Sequence, residues 1–222
     1  MASNHSQSPN RSHERSVRSR NAEATRTAFL EEGEKLFAQF GFEGVSLEQL
    51  ANAVGGNKTL VSYHFKSKSG LYEAVIGNIV TQVISSVSQR LSRNNDAVGT
   101  FGAYVEALVF SFADKPAFCA ILMREYISGK MSKHDDAFQY VVKFYRLTNE
   151  LYRDGLNQKK FKTIDPHLLH FSIVGPIIHF IVSTKFRQDS LAAVAPDISN
   201  PSLEEFAAHH VKMILDGLVI DP

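Results

Sequence analysis

The sequence predicts an all-α protein: an N-terminal helix-turn-helix unit of three helices and then a larger helical domain, about nine helices in all. Apolar residues recur at three- and four-residue spacings, and almost no segment alternates with the period of two that marks a strand. Glycine and proline divide the chain into helix-sized lengths. With 222 residues, 44% of them apolar, the chain can bury a packed core.

A polar, arginine-rich stretch opens the chain. Between residues 11 and 26, five arginines stand against two glutamates, and no apolar cluster could form a core there. We expect residues 1–24 to be a disordered basic arm, either a solvated tail or a segment that contacts phosphates or the minor groove of DNA. The absence of an apolar run also predicts that there is no signal peptide.

Three helices should follow, over residues 25–40, 47–54 and 58–65. Gly41 suits the end of the first, because a helix often stops at a residue in the left-handed conformation. Ser46, with Gln49 three residues later, forms a capping box at the start of the second. The two successive glycines Gly55 and Gly56 break that helix, and Asn57 is placed to cap the third.

The second and third helices, joined by a tight glycine turn, predict a helix-turn-helix. Their apolar residues, with those of the first helix, should form a small core: Phe37, Phe40, Leu47, Leu50, Leu60, Val61 and Phe65. The other side of the third helix is polar: Lys58, Thr59, Ser62, Tyr63 and His64. Geometry alone leaves open whether this corner reads the major groove of DNA or is only a structural joint.

Six further helices complete the prediction, over residues 71–94, 96–113, 116–128, 134–157, 166–187 and 202–219. The first is long because apolar residues step by four from Leu71 to Leu91. Pro116 and Pro166 suit the first turns of their helices, and Asp165 can cap the second of these. Residues 192–201 contain two prolines and should form a loop. The expected domains are 25–70 and 71–222.

The second domain offers a candidate ligand site and a candidate dimer interface. Bundle sites form between helices, and the side chains we assign to a small-molecule cavity are Tyr104, Phe110, Arg124, Tyr126, Tyr145 and His179. Arg124 can be interpreted either as half of a structural ion pair or as a contact to an anionic ligand. The helix at 166–187 is apolar on nearly every side, so one face needs a partner. The expected interface residues are Phe171, Ile178, Phe206, His210, Met213 and Ile214; alternatively, both helices complete a monomeric core.

Other functional classes find little support. We expect Cys119, in an apolar run, to be a small core residue, and a single cysteine fits a cytoplasmic protein. Because there is no phosphate-binding glycine loop, nucleophile elbow or metal-ligand spacing, we expect no enzyme, cofactor or metal site. The most apolar run is shorter than the ~20 residues that span a bilayer. A net charge of +1 does not by itself indicate nucleic acid.

The segment from Thr25 to Ile76 resembles the N-terminal domain of the TetR family of bacterial regulators. The peptides that carry the resemblance are LFAQFGF at 36–42, VSLEQLA at 45–51 and LVSYHFKSK at 60–68. The resemblance implies a ligand-responsive transcriptional regulator, usually a repressor, that binds a palindromic operator as a homodimer and is released by a small-molecule effector. The alternative is a helical adaptor without DNA binding.

The resemblance also assigns roles. Lys58, Thr59 and Leu60 match the start of the recognition helix, where base edges are read. Ser62 stands where the family usually has a phosphate-binding tyrosine, and its hydroxyl reaches less far. The remaining matches are phosphate or backbone contacts: Ser46, Tyr63, His64 and Lys68.

Overall fold

The computed structural model describes residues 10–91, 96–128 and 135–220. The described residues form ten α-helices and one π-helical segment. The α-helices are α1 (Asn10–Phe40), α2 (Leu47–Ala53), α3 (Lys58–Phe65), α4 (Lys68–Arg90), α5 (Ala97–Ala113), α6 (Pro116–Ser128), α7 (Asp135–Asn157), α8 (Pro166–Val182), α9 (Ala192–Val194) and α10 (Leu203–Leu218); the π-helical segment is Phe186–Leu191. The predicted all-α class is confirmed. Two compact units divide between Val75 and Ile76, within α4.

The start of the chain differs from the prediction. α1 begins at Asn10, so residues 10–24, expected to be a disordered arm, are helical. No proline or glycine lies between Asn10 and Glu32, and adding residues to an existing helix costs little free energy compared with nucleating one. Residues 1–9 of the predicted arm, and residues 92–95 where the fourth helix was expected to end, lie outside the described residues.

The first unit is built on a small apolar core that includes four aromatic rings. Its buried members are Phe29, Leu30, Phe37, Val45, Leu50, Ala51, Val61, Phe65, Leu71, Tyr72 and Val75. The rings of Phe37 and Tyr72 meet edge to face at 4.9 Å, which ties α1 to α4. Phe40, predicted to lie in this core, is 45% exposed because it is the last residue of α1. Gly41 follows with φ of 70°, and its N–H donates to the carbonyl of Phe37, as a helix-ending glycine should.

The second unit surrounds α5, which is buried along most of its length. α5 contacts α6, α7, α8 and α10. A methyl group added at Gly102 would lie 3.2 Å from Leu215, so α5 and α10 approach closely there. Phe112, Phe118 and Phe144 form an aromatic cluster that links α5, α6 and α7 at ring distances of 5.3 to 5.9 Å. Cys119 is fully buried, which confirms its prediction as a core residue, and burial raises the pKa of its thiol to about 12.

The chain after α8 is more helical than predicted. The helix expected over 166–187 stops at Val182, and part of the expected 192–201 loop is helical, as α9. Arg187 folds back, donating from Nη1 to the carbonyl of Phe180 and to Oγ of Ser183, and this satisfies polar groups where α8 ends.

No single helix among the described residues has both the length and the apolar character needed to cross a membrane. The segments Pro166–Val182 and Phe186–Val194 have that length and apolar character only when they are taken together, and they are bent by 59° at the break between them.

Candidate nucleic-acid interface

α3 has one buried face and one exposed face. Val61 and Phe65 are buried, whereas Tyr63 is 76% exposed. Three more of the predicted contact residues are exposed beside it: Lys58, Thr59 and Ser62. We call these four residues the reading edge. A helix divided in this way can enter a major groove while its other face stays on the core.

Helix caps fix both short helices of the motif. Oγ of Ser46 accepts from the N–H of Gln49 at 3.1 Å, and the N–H of Ser46 donates to Oε1 of Gln49 at 2.7 Å, so the predicted capping box is present. Oδ1 of Asn57 accepts from the N–H of Leu60 at 3.1 Å and caps α3. Gly55 has φ of 66°, a conformation that other residues rarely adopt. The hydroxyl hydrogen of Ser46 stays available for a phosphate, because the cap uses only a lone pair.

Lys58 is held by an acidic neighbour that sequence spacing did not indicate. Its Nζ lies 2.5 Å from Oε1 of Glu48, in the first turn of α2, and both side chains are more than half exposed. An exposed ion pair of this kind contributes only ~0.2–1 kcal/mol, so a phosphate can compete for Lys58.

Lys68 and His64 do not lie on the reading edge. Nζ of Lys68 donates to the carbonyls of Phe42, at 2.8 Å, and Val45, at 2.9 Å. The ring of His64 is half-buried, with its centroid 6.3 Å from that of Phe29 and 5.0 Å from that of Tyr63. Leu60 is also half-buried, so its side chain helps to seat α3.

Residues 29–75, which hold this motif, match the family model described as bacterial regulatory proteins, tetR family. Over this segment the chain is therefore similar to TetR-family regulators. The match covers the core of the first unit and the whole reading edge.

Relatives and solved structures extend the resemblance to the second unit. The HTH-type transcriptional regulator RutR of Escherichia coli K12 is 26% identical over 163 residues, 73% of this chain and 76% of RutR. The fold matches PfmR, a TetR family transcriptional regulator from Thermus thermophilus, with a TM-score of 0.64 at 21% identity over 85% of this chain and 97% of PfmR. It also matches AibR, solved with isovaleryl coenzyme A and operator DNA, with a TM-score of 0.67 at 17% identity over 87% of this chain and 99% of AibR. The predicted family and its coarse function, DNA-binding transcriptional regulation, are confirmed.

The residues predicted for a TetR-type dimer interface fall into two groups. Phe171 and Met213 are 49% and 59% exposed, and Phe206 and Ile214 are partly exposed. Ile178 and His210 are buried within the protomer, which leaves them little surface for a partner. Nε2 of His210 lies 2.9 Å from the carbonyl of Ile173, which explains how an imidazole is accommodated there.

An apolar groove of about 520 Å³ lies between α8 and α10. Its lining includes Leu168, Pro176, Phe206, His210, Met213 and Ile214, and the sequence had assigned the last four of these to the dimer interface. The groove therefore adds Leu168 and Pro176 to that candidate surface; Leu168 is 62% exposed.

The six predicted ligand-binding residues differ widely in their exposure to solvent. Tyr104 is fully buried, whereas Arg124, Tyr126 and His179 are exposed. Phe110 is half-buried and lies 5.7 Å from the guanidinium of Arg90. Aromatic and basic residue types alone did not distinguish core positions from surface positions, because both occur on amphipathic helices.

One predicted ligand residue, Tyr145, has polar surroundings. It lines a hollow of about 360 Å³ with Arg146, Asn149, Asp165, Pro166 and His167. Its ring stacks on the buried His170, with 3.6 Å between centroids.

A buried polar chain lies behind that hollow. Oγ1 of Thr148 is 2.7 Å from the Tyr104 hydroxyl and 2.9 Å from Nδ1 of His170, which joins α5, α7 and α8. Burial, with a smaller contribution from the nearby His167, lowers the pKa of His170 to about 4, so its imidazole is neutral near pH 7. Burial also raises the pKa of Tyr104. This chain was missed in the sequence because its members are far apart along it.

Proposed function

We propose that this TetR-family regulator binds a palindromic operator as a homodimer, represses transcription, and is released by a small-molecule effector. The observation that carries the proposal is the reading edge, four exposed polar side chains on a helix whose opposite face is buried. One such helix reads only a few base pairs. A two-fold dimer doubles the contact and places half-sites ~34–36 Å apart.

Exposed apolar residues on α8 and α10 support the dimer. Leu168, Phe171 and Met213 are each about half exposed or more, and the apolar groove lies between the same helices. Exposed apolar surface of this kind marks an interface more often than open solvent. Met213→Asp should give a monomer in analytical ultracentrifugation, while Lys212→Asp, also at an exposed position of the same helix, leaves a dimer. A Met213→Asp protein that stays dimeric would remove α10 from the interface.

The effector would bind in the second unit. The relative AibR was solved with isovaleryl coenzyme A, and here the hollow beside Tyr145 combines an aromatic ring with the cationic and amide groups of Arg146 and Asn149. α4 runs from the DNA-binding unit into the second unit, so it is the covalent route for coupling. An effector that prefers a low-affinity conformation should weaken DNA binding by ~1–3 kcal/mol, the usual coupling energy.

Fluorescence anisotropy tests the DNA-binding part. The probes are the duplex that the protein selects from a random library and a shuffled duplex of the same length, each titrated at several salt concentrations. A regulator prefers the selected duplex and loses affinity steeply with salt. A helical adaptor shows neither property, and that result would replace the present proposal.

Two further assays test repression and release. A reporter behind the promoter nearest to the gene should be silenced when the protein is expressed; activation would contradict the repressor role. In a gel shift with that promoter, isovaleryl coenzyme A and the metabolites handled by flanking genes are added as candidate effectors. A shift that survives every one of them at high excess would count against ligand control.

A further inference from the structure

The Lys68 ammonium sits on the loop between α1 and α2. Lys68 is the first residue of α4, yet its Nζ donates to the carbonyls of Phe42 and Val45, 26 and 23 residues earlier in the chain. The same nitrogen lies 4.2 Å from the centroid of the Phe42 ring. Two charge-assisted hydrogen bonds and a cation–π contact thus hold one cation. We call these partners the lysine seat.

The seat is anchored in the core of the first unit. The Phe42 ring packs against Tyr72 at 5.1 Å and against Phe37 at 6.4 Å. Val45 is 2% exposed, and its neighbour Ser46 caps α2. Lys68 therefore connects the start of α4 to the residues that determine where α2 begins, and α2 packs on the reading helix α3.

We propose that Lys68 is a positioning residue for DNA recognition rather than a phosphate ligand, and that its charge orients α2 and the reading edge. The proposal rests on the DNA-binding function of this unit. An ammonium has three hydrogens, and the seat takes two of them. Moving Nζ to a phosphate would leave the two carbonyls without this donor and would give up the ring contact.

The test compares Lys68→Met with Phe42→Leu. Lys68→Met keeps an apolar stem of similar length and removes the charge, whereas Phe42→Leu weakens the seat without changing any charge. Lys66→Met, at an exposed lysine just after α3, is the matched control for the loss of one positive charge. Affinities for the selected and the shuffled duplex are measured by anisotropy over a range of salt concentrations, corrected for the active fraction by stoichiometric titration. Thermal unfolding is followed by circular dichroism without DNA.

A positioning role predicts that both seat variants lower the ratio of specific to non-specific affinity by on the order of tenfold, as misplaced base contacts do. The slope of log affinity against log salt at the selected duplex stays as in the wild type. Lys66→Met lowers both affinities by the same factor and leaves the ratio unchanged.

Two results would overturn the proposal. In the first, Lys68→Met weakens both duplexes equally and reduces the salt slope by ~0.9, the signature of one lost phosphate contact. In the second, both variants melt earlier but keep the wild-type ratio, which would reduce the seat to a source of stability. If Lys68→Met does not fold, Phe42→Leu decides between a changed and an unchanged ratio. Failure of the wild type to prefer the selected duplex would instead reject the DNA-binding proposal itself.

Discussion

The two units of the chain place their polar side chains in opposite ways. In the first unit the polar residues of α3 face solvent, and Tyr63 is 76% exposed. In the second unit a histidine, a threonine and a tyrosine form a buried chain, and His210 is buried as well. An exposed edge can exchange water for another molecule, whereas buried polar groups hold their partners and specify one packing arrangement. Similar polar residues therefore form a candidate binding surface in the first unit and stabilise one packing arrangement in the second.

The largest expected effect comes from emptying the core beneath the reading edge. Phe37→Ala removes a fully buried ring and should destabilise the first unit by about 3–5 kcal/mol. Specific DNA binding should be lost with it. Phe40→Ala, at a 45% exposed position of the same helix, is the control and should change stability by less than ~1 kcal/mol. Urea unfolding followed by circular dichroism measures both; equal losses would contradict the assigned core.

The buried polar chain should make stability depend on pH. The native pKa of His170 is about 4, below the ordinary value of 6.5, so the unfolded state binds more protons between these values. Stability is therefore full above about pH 6.5 and falls as pH drops to about 4, by on the order of 3 kcal/mol. His170→Gln should reduce this loss; the remainder includes His210, whose pKa burial also lowers. Urea unfolding at several pH values compares the free energy of unfolding of the wild type with that of the variant. A variant with the wild-type pH profile would show that His170 is not a source of the pH dependence.

Substitutions on the reading edge should change which sequence is bound without changing stability. Thr59→Val removes one hydroxyl from an exposed position and should alter the preference at one base pair, an effect of ~1–3 kcal/mol if the hydroxyl reads a base. Selection from a random duplex library compares the preferred sequences, and Ser62→Ala, at a predicted phosphate contact, should leave them unchanged. Identical selected sequences for Thr59→Val and the wild type would show that Thr59 reads no base.

The smallest expected effect concerns the ion pair at the edge. Glu48→Gln frees Lys58 and removes a negative charge beside it, so affinity for every duplex should rise by up to about fivefold, the value of an exposed pair. The anisotropy titrations described above measure this. Weaker binding would mean that Glu48 orients Lys58 for contact.

The reading edge could be predicted from sequence because its signals are local. A capping box, a glycine turn and apolar residues three and four positions apart all lie within about one or two helical turns of each other. The extent of α1 was missed because its first part has no apolar pattern. The ligand and interface residues depended on which helices pack together, and so Ile178 and His210, on apolar stripes, were placed at a surface although they are buried.

Lys68 shows the same limit within the first unit. The motif places a lysine at the start of α4, but its partners lie in a loop more than twenty residues earlier, and no local pattern connects the two. The ion pair of Lys58 with Glu48 is a second contact that sequence spacing did not indicate, because the glycine turn separates the two residues.

Site-specific crosslinking from α3 tests the central claim most directly. The only cysteine, Cys119, is fully buried, so Ser62→Cys can carry a photoreactive group on the reading edge with little background. Lys212→Cys, exposed on α10, is the control. We predict that the Ser62 probe crosslinks to nucleotides inside the selected duplex and that unlabelled selected duplex competes, whereas the shuffled duplex does not. Crosslinking from Ser62 no stronger than from Lys212, while the labelled protein still binds the duplex, would contradict the claim that α3 reads DNA.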